Sequence, residues 1–394
     1  MESGSIAWML TCSALVLFMT PGLALFYGGL VQGKNLVSTI MYSFVCLGLV
    51  SMVWVLWGYS LAFGEGGNAF IGSLNNIALN GIDTPEDQVF VIFQMMFAII
   101  TPALITGAFC ERFKFKTYLV FLVLWVSLVY APIAHWVWDG NGWLANRGAL
   151  DFAGGAVVHI NAGVAAIAAA ALVGKRRNPG SPNNVPFVVL GASMLWFGWF
   201  GFNAGSGLAA NGQAVSAFLV TNTSAATAMM VWVVLGLMHG GKVSAVGAAT
   251  GAIAGLATIT PASGFVGVDA ALILGLVSGV ITYYAVYFKS KINLDDALDV
   301  FAVHGIGGII GLLGTGIFAA EAIGGAKGVI EGSSSLLIDN IILIIATVIY
   351  SLVATLVILK VLDIIPGLGL RSSEAEEDAG LDIGDHGEAA YSTD

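Results

Sequence analysis

Eleven stretches of this chain are apolar over about the ~20 residues needed to cross the hydrocarbon of a bilayer. They are 6–29, 38–63, 89–109, 117–137, 152–173, 185–204, 215–237, 244–262, 267–288, 299–318 and 336–360. In lipid each must satisfy its own backbone hydrogen bonds, so each is predicted to be an α-helix. Charged residues are only 10% of the 394, against about 25% in a soluble domain. The expectation is an all-α membrane protein with eleven transmembrane helices, not a water-soluble globule.

Charge fixes an orientation. With an odd number of crossings the termini lie on opposite sides. If the N-terminus is outside, twelve of the fourteen lysines and arginines fall in inside loops and the tail; only Arg147 and Lys327 remain outside. The positive-inside rule therefore predicts N-terminus out and C-terminus in, in a cell membrane. The net charge of −10 is local, because residues 363–394 carry nine acidic side chains against one arginine. No basic patch interleaved with aromatics argues for nucleic acid. Cys12, Cys46 and Cys110 show no CxxC pairing, which argues against disulfides and thiolate metal sites. "MESGSIAWML" lacks a basic n-region, so the first helix is expected to be retained.

The first five runs are echoed by the next five. "FYGG" (26–29) resembles "FNAG" (202–205), Thr101-Pro102-Ala103 matches Thr260-Pro261-Ala262, and Asp151/His159 matches Asp296/His304, all in the same order. Five is odd, so the copies enter the membrane from opposite faces, an arrangement that puts a shared site near the midplane. Each histidine follows its aspartate by eight residues, or ~12 Å of helix. Counted from opposite faces of a ~30 Å core, the two levels differ by only ~6 Å, close enough for the imidazoles to touch. The glycines crowding both segments are assigned to close helix packing and given no chemistry.

An ionisable group at that depth is costly and marks function. One such histidine is ordinarily a hydrogen-bonded structural residue; two at equivalent depths point to a pore or a cofactor. A neutral pair can pass a proton or orient a small polar solute, or serve as axial haem ligands. A metal would want further ligands that the sequence near mid-depth lacks. Asp151 suits an N-cap or a cation at the outer mouth. Asp295, Asp296 and Asp299 are read as caps of the tenth helix. His135 is read as an interfacial structural histidine, and His239 and His386 as incidental near water. Phe93 and Phe97, one turn apart, either pack or form a cation–π surface leading to an apolar gate; Trp138 fits the interfacial belt.

"DFAGGAVVHINAG" (151–163), "WFGWFGFNAGS" (196–206), "GAFCERFKF" (107–115) and "DVFAVHGIGGIIG" (299–311) resemble the signature segments of the ammonium transporter (Amt/Mep/Rh) family. The similarity runs from "PGLALFYGGLV" (21–31) to "GLDIGDHGEAAY" (380–391). It implies an inverted five-helix repeat plus a final helix: a transmembrane domain over 1–362, with halves 1–173 and 174–318, then 319–362, and a cytoplasmic regulatory tail over 363–394. It implies a homotrimer with a pore in each subunit, ammonium or ammonia as substrate, and no cofactor, metal or enzymatic activity. His159 and His304 resemble the pore histidines. Asp151, Phe93, Trp138 and Ser224 resemble the recruitment site, and Phe97 and Phe218 the two gate rings. The tail resembles a segment that meets a PII-type signal protein of the GlnK kind; by composition alone it reads as a disordered end. Two other readings stay open: a bis-histidine haem subunit for electron transfer, and an ammonium sensor of the same fold.

Overall fold

The computed structural model describes residues 1–391 apart from Ser290 and Asn293, so the last three residues of the expected tail lie outside the described residues. Among the described residues it is all-helical, with one isolated bridge between Phe113 and Arg371. The long helices are α1 (Ser3–Leu30), α2 (Gly33–Phe63), α3 (Pro85–Ala108), α4 (Phe115–Trp138), α5 (Gly155–Val173), α6 (Val185–Gly205), α7 (Gly212–Gly240), α8 (Ala245–Ile259), α9 (Val268–Lys289), α10 (Phe301–Phe318) and α11 (Ser335–Ile364). All but α8 are long and apolar enough to cross a membrane.

Local sequence sets several ends. Thr84 accepts the Asp87 amide, with Pro85 opening α3 and Glu86 and Asp87 in its first turn. Acidic side chains there suit the positive end of the helix dipole. Asn184 and Asn211 cap α6 and α7 in the same way, accepting from Phe187 and Ala214. Helix α8 stops at Ile259, short of the expected 262. Beyond it the Pro261 ring takes the space beside Gly155, and the Pro261 carbonyl accepts the Phe152 amide at 3.2 Å. The turn that ends α8 thus holds the lead-in to α5.

Helix α1 lies along α6, and α5 along both α10 and α11. These approaches depend on missing side chains. A Cβ on Gly191 would sit 2.4 Å from the Gly22 carbonyl oxygen, and one on Gly163 2.6 Å from the Gly305 Cα. Gly308, four residues after His304 as Gly163 is after His159, would meet the Gly155 carbonyl oxygen at 2.5 Å. Both histidine helices therefore touch backbone to backbone.

The acidic tail is folded, not a loose end. Ser373 and Glu376 form a capping box that opens α12 (Glu374–Ala379). The Lys34 ammonium donates to the carbonyls of Glu377 and Asp378 at 2.9 and 2.8 Å, where that helix ends. Arg177 pairs with Glu374 at 2.6 Å, and the Asp382 carboxylate accepts the Ser38 amide at 2.8 Å. Partners from loops and helix starts, invisible in the tail's own composition, supply the order.

Candidate pore

Three cavities follow one another between the helices. The first opens where α3 and α5 begin, the end expected from the charge asymmetry to face outward. It encloses about 110 Å3 against Phe93, Gln94, Phe97, Trp138, Phe152 and Ser206. The Phe93 and Phe97 centroids are 4.9 Å apart, and Trp138 stands edge-on to Phe97 at 5.7 Å. Trp138 is aimed by its indole N–H, which donates to the Asp151 carbonyl at 2.8 Å. The Asp151 carboxylate itself is fully engaged. One oxygen accepts the amides of Gly154 and Gly155, the other those of Ala156 and Val157, at 2.6–3.2 Å. Burial raises its pKa and these four amides pull it back, leaving a net rise. Asp151 therefore fixes the backbone that opens α5 with its carboxylate and holds the Trp138 indole with its carbonyl.

Phe97 and Phe202 close the floor of this vestibule, 4.3 Å apart with planes 39° from parallel. Below them is a slit with about 10 Å3 free, lined by Met19, Leu23, Ile100, Leu104, Trp199 and Ile253 around the two histidines. That is roughly the room of one water-sized molecule.

His159 and His304 meet inside it. Their Nδ1 atoms are 3.3 Å apart, with ring centroids at 5.2 Å and planes 24° apart, an edge-to-edge contact. Both sit in π-helical turns, Gly155–Ile160 and Phe301–Gly305, a local widening of the helix often found at functional sites. Sharing one Nδ1 hydrogen forces the rings into opposite tautomers: one Nε2 then accepts and the other donates. The His159 Nε2 has no protein partner.

The third cavity, about 200 Å3, runs from His304 past Tyr27, Val303 and Thr250 to Arg176 and Asp299. A charge network frames it. Arg176 grips Asp295 with two bonds of 2.9 Å and reaches Glu111 at 3.1 Å. Burial alone would raise the Asp295 pKa; hydrogen bonds and charge from Arg176 outweigh it and hold it at about 2. Asp296 accepts the amides of Val300 and Phe301 at 3.1 and 2.8 Å, so it does cap α10. Asp295 and Asp299 do not share that role: they pair with Arg176 and Lys289.

Two expected site residues lie elsewhere. Phe218 is 41% exposed on the outer face of α7 and stacks on Phe200 at 4.0 Å. Ser224 is buried at a helix crossing, donating to the Gly255 carbonyl at 2.9 Å. The ring against Phe97 is Phe202, and the hydroxyl in the outer vestibule is Ser206. Both belong to "WFGWFGFNAGS", so the signal was present in the segment already singled out. His135 is the structural residue expected, its ring nitrogens against the Ala62 and Asn68 carbonyls at 2.8 and 2.6 Å. His386 is not incidental, since its ring packs on Phe115 at 4.7 Å.

Residues 7–391 match the sequence model of the Ammonium Transporter Family. The chain is 47% identical to the ammonium transporter of Bacillus subtilis, over 99% of each chain. It is 46% identical to the ammonium transporter Amt1 of Archaeoglobus fulgidus, over 99% of this chain and 100% of that one. The crystal structure of Candida albicans Mep2 superimposes with a TM-score of 0.91 at 38% identity, over 95% of this chain and 88% of that one.

Proposed function

The chain belongs to the ammonium transporter family, and we propose that it moves ammonium across a lipid bilayer by drawing NH4+ into an aromatic vestibule and passing ammonia along paired histidines. The observation that carries this reading is the Nδ1–Nδ1 contact of His159 and His304 inside a slit with about 10 Å3 free.

Potassium and ammonium are alike in charge and close in size, so a hole of fixed width cannot separate them. Ammonium differs in donating hydrogen bonds and in being able to lose a proton. Phe93 and Trp138 offer π-faces, Ser206 a hydroxyl oxygen, and Asp151 nearby negative charge; together they concentrate a cation. Beyond the Phe97–Phe202 pair a bare ion would shed its water into an apolar slit, at high cost. Ammonia pays far less, and the two Nε2 edges supply the donor and acceptor it needs. The imidazole pair relays the released proton across the slit, in keeping with histidine's role as a proton shuttle, and it rejoins ammonia on the far side, so each passage carries one positive charge. No covalent bond to carbon or phosphorus is made or broken, so the activity is transport, not enzymatic turnover.

The chain sits with α5 opening to the outside and α10 to the cytoplasm, in halves 1–173 and 174–318 inverted about the histidines. Three copies associate, each with its own pore, and the folded tail beside Lys34 and Arg177 forms part of the surface that receives a PII-type protein. Mass determination in detergent and pull-down with a chain truncated after Leu370 test these two points; a monomer, or undiminished capture, refutes the corresponding one. The transport reading is tested by purified protein in liposomes on a supported membrane. An ammonium pulse should evoke a current that an equal potassium pulse does not, and equal responses would refute selective transport.

A further inference from the structure

The two histidines are not held alike. His304 has only the His159 ring beside it among the described aromatic contacts. His159 also lies nearly parallel to two more rings: the Trp199 indole, with centroids 5.5 Å apart and planes at 26°, and Phe202, at 6.0 Å and 21°. The edge-to-edge meeting with His304 leaves the faces of the His159 imidazole to be covered, and these two rings lie alongside, the indole the nearer. Trp199 is itself tethered. Its Nε1–H donates to the Thr260 Oγ1 at 2.8 Å, and that hydroxyl donates onward to the Leu256 carbonyl at 2.8 Å. Because the Thr260 hydrogen is spent on Leu256, its lone pair is turned to the indole. The chain of donors has one direction and no unmet group.

Thr260 opens the Thr-Pro-Ala segment repeated at Thr101. The counterpart does only half of this: the Thr101 hydroxyl donates to the Phe97 carbonyl four residues back, at 2.6 Å, as Thr260 does to Leu256, but among the described residues no indole donates to it. The tether is therefore an addition to one half of the repeat.

Hydrogen bonds do little to fix His159. Among the described residues its Nδ1 contacts His304 alone, and its Nε2 has no protein partner. The second side-chain torsion of histidine is broad and roughly two-fold, so hydrogen bonding alone would let the ring turn over. Turning would replace Nδ1 by carbon at the histidine contact and move Nε2 off the conduction line. With the indole and, farther off, the Phe202 ring lying nearly parallel beside it, that rotation drives the imidazole edge toward them, Trp199 first. We propose that Thr260, acting through Trp199, is a positioning residue that locks the His159 ring and so sets the selectivity of the histidine pair. This rests on the transport reading above.

The test uses full-length protein in liposomes, comparing Thr260→Val, Thr260→Ser and Trp199→Phe with His159→Ala. Valine keeps the shape of threonine and loses the acceptor. T260V should cut the ammonium-evoked current by roughly tenfold or more, as displacements near 1 Å at a reacting group do. It should also shift the pH profile of that current and split the imidazole 15N signals that report tautomer. T260S, which keeps the hydroxyl, should restore all three. W199F keeps a ring on the histidine face without the N–H; it should lose ammonium-to-potassium selectivity, and it decides the matter should T260V fail to fold. The proposal is overturned if T260V or W199F leaves current, pH profile and 15N signals unchanged while H159A abolishes transport. An H159A that transports normally would overturn the histidine-pair reading, and the tether with it.

Discussion

The helices carrying His159 and His304 begin from the same aspartate-to-histidine spacing and are finished in opposite ways. At the start of α5, both Asp151 carboxylate oxygens accept from backbone amides, four in all, its carbonyl accepts the Trp138 indole N–H, and among the described residues no cation is paired to it. At the start of α10, Asp296 caps two amides and is surrounded by paired charges: Lys289 with Asp299, Arg176 with Asp295 and Glu111. The mouth beside Asp151 is left with negative charge and π-faces, which suit the cation recruitment proposed above. The mouth beside Asp296 is closed to a further cation by Arg112, Arg176 and Lys289, set among its four carboxylates. The two histidines meet alike at the centre, and the flanks of their helices differ.

The greatest disturbance should come where the two halves are equivalent. Valine at Gly163 or Gly308 would thrust methyl groups into backbone of the facing helix. Overpacking of this kind costs typically ~1–3 kcal/mol, occasionally more, and here the obstacle is main chain. Both variants should lose thermal stability in detergent, with no measurable ammonium current. If only one does, the two crossings are not equivalent and the comparison breaks at its base.

The caps should differ. Asp151→Ala leaves four buried amides without an acceptor and Asp296→Ala leaves two. At ~1–3 kcal/mol for each unmet donor, less whatever water recovers, D151A should lower the unfolding midpoint more than D296A. Equal losses would mean that Asp151 is no more deeply committed to backbone than its counterpart.

Smaller again is the effect on recruitment. Phe93→Ala or Trp138→Ala removes a cation–π contribution of ~0.5–2 kcal/mol, so the half-saturating ammonium concentration should rise by roughly 2- to 30-fold. Arg176→Gln at the inner mouth should leave that concentration alone. A shift with R176Q as large as with F93A would erase the distinction between an attracting mouth and a closed one.

The smallest effect concerns pH. Asp295 is held at about 2, below its ordinary 3.8. A depressed carboxylate contributes stability above its unfolded pKa and loses it as pH falls through the folded one. The difference in unfolding midpoint between wild type and Asp295→Asn should therefore stay constant from pH 7 to about 5 and shrink between about 4 and 2. A difference already fading at pH 6 would mean that the network does not hold the carboxylate ionised.

Depth was readable in the sequence because it follows from counting: a fixed spacing, a rise per residue and an odd number of helices bring His159 and His304 to one level. Phe93, Phe97 and Trp138 were readable as a set, and they do gather in one vestibule. The facing ring was not. α6 is apolar on every side, so periodicity does not say which of its aromatics looks inward; Phe202 does and Phe200 does not. Ser224 was misplaced for a related reason, since in lipid a serine can satisfy a neighbouring helix as readily as a solute. The Trp199–Thr260 tether joins residues 61 apart, one on α6 and one just past the end of α8, and only packing brings them together.

The central claim is that two imidazoles in a dry slit let ammonia through and refuse a bare cation. It is tested most directly by placing a carboxylate in that slit, with His159→Asp and His304→Asp measured separately in supported membranes under potassium and ammonium pulses. A carboxylate stabilises an ion that imidazole does not. Both variants should therefore gain a potassium current while their ammonium current persists or grows, and wild type should answer ammonium alone. Potassium rejection and ammonium flux both unchanged in H159D would contradict the account.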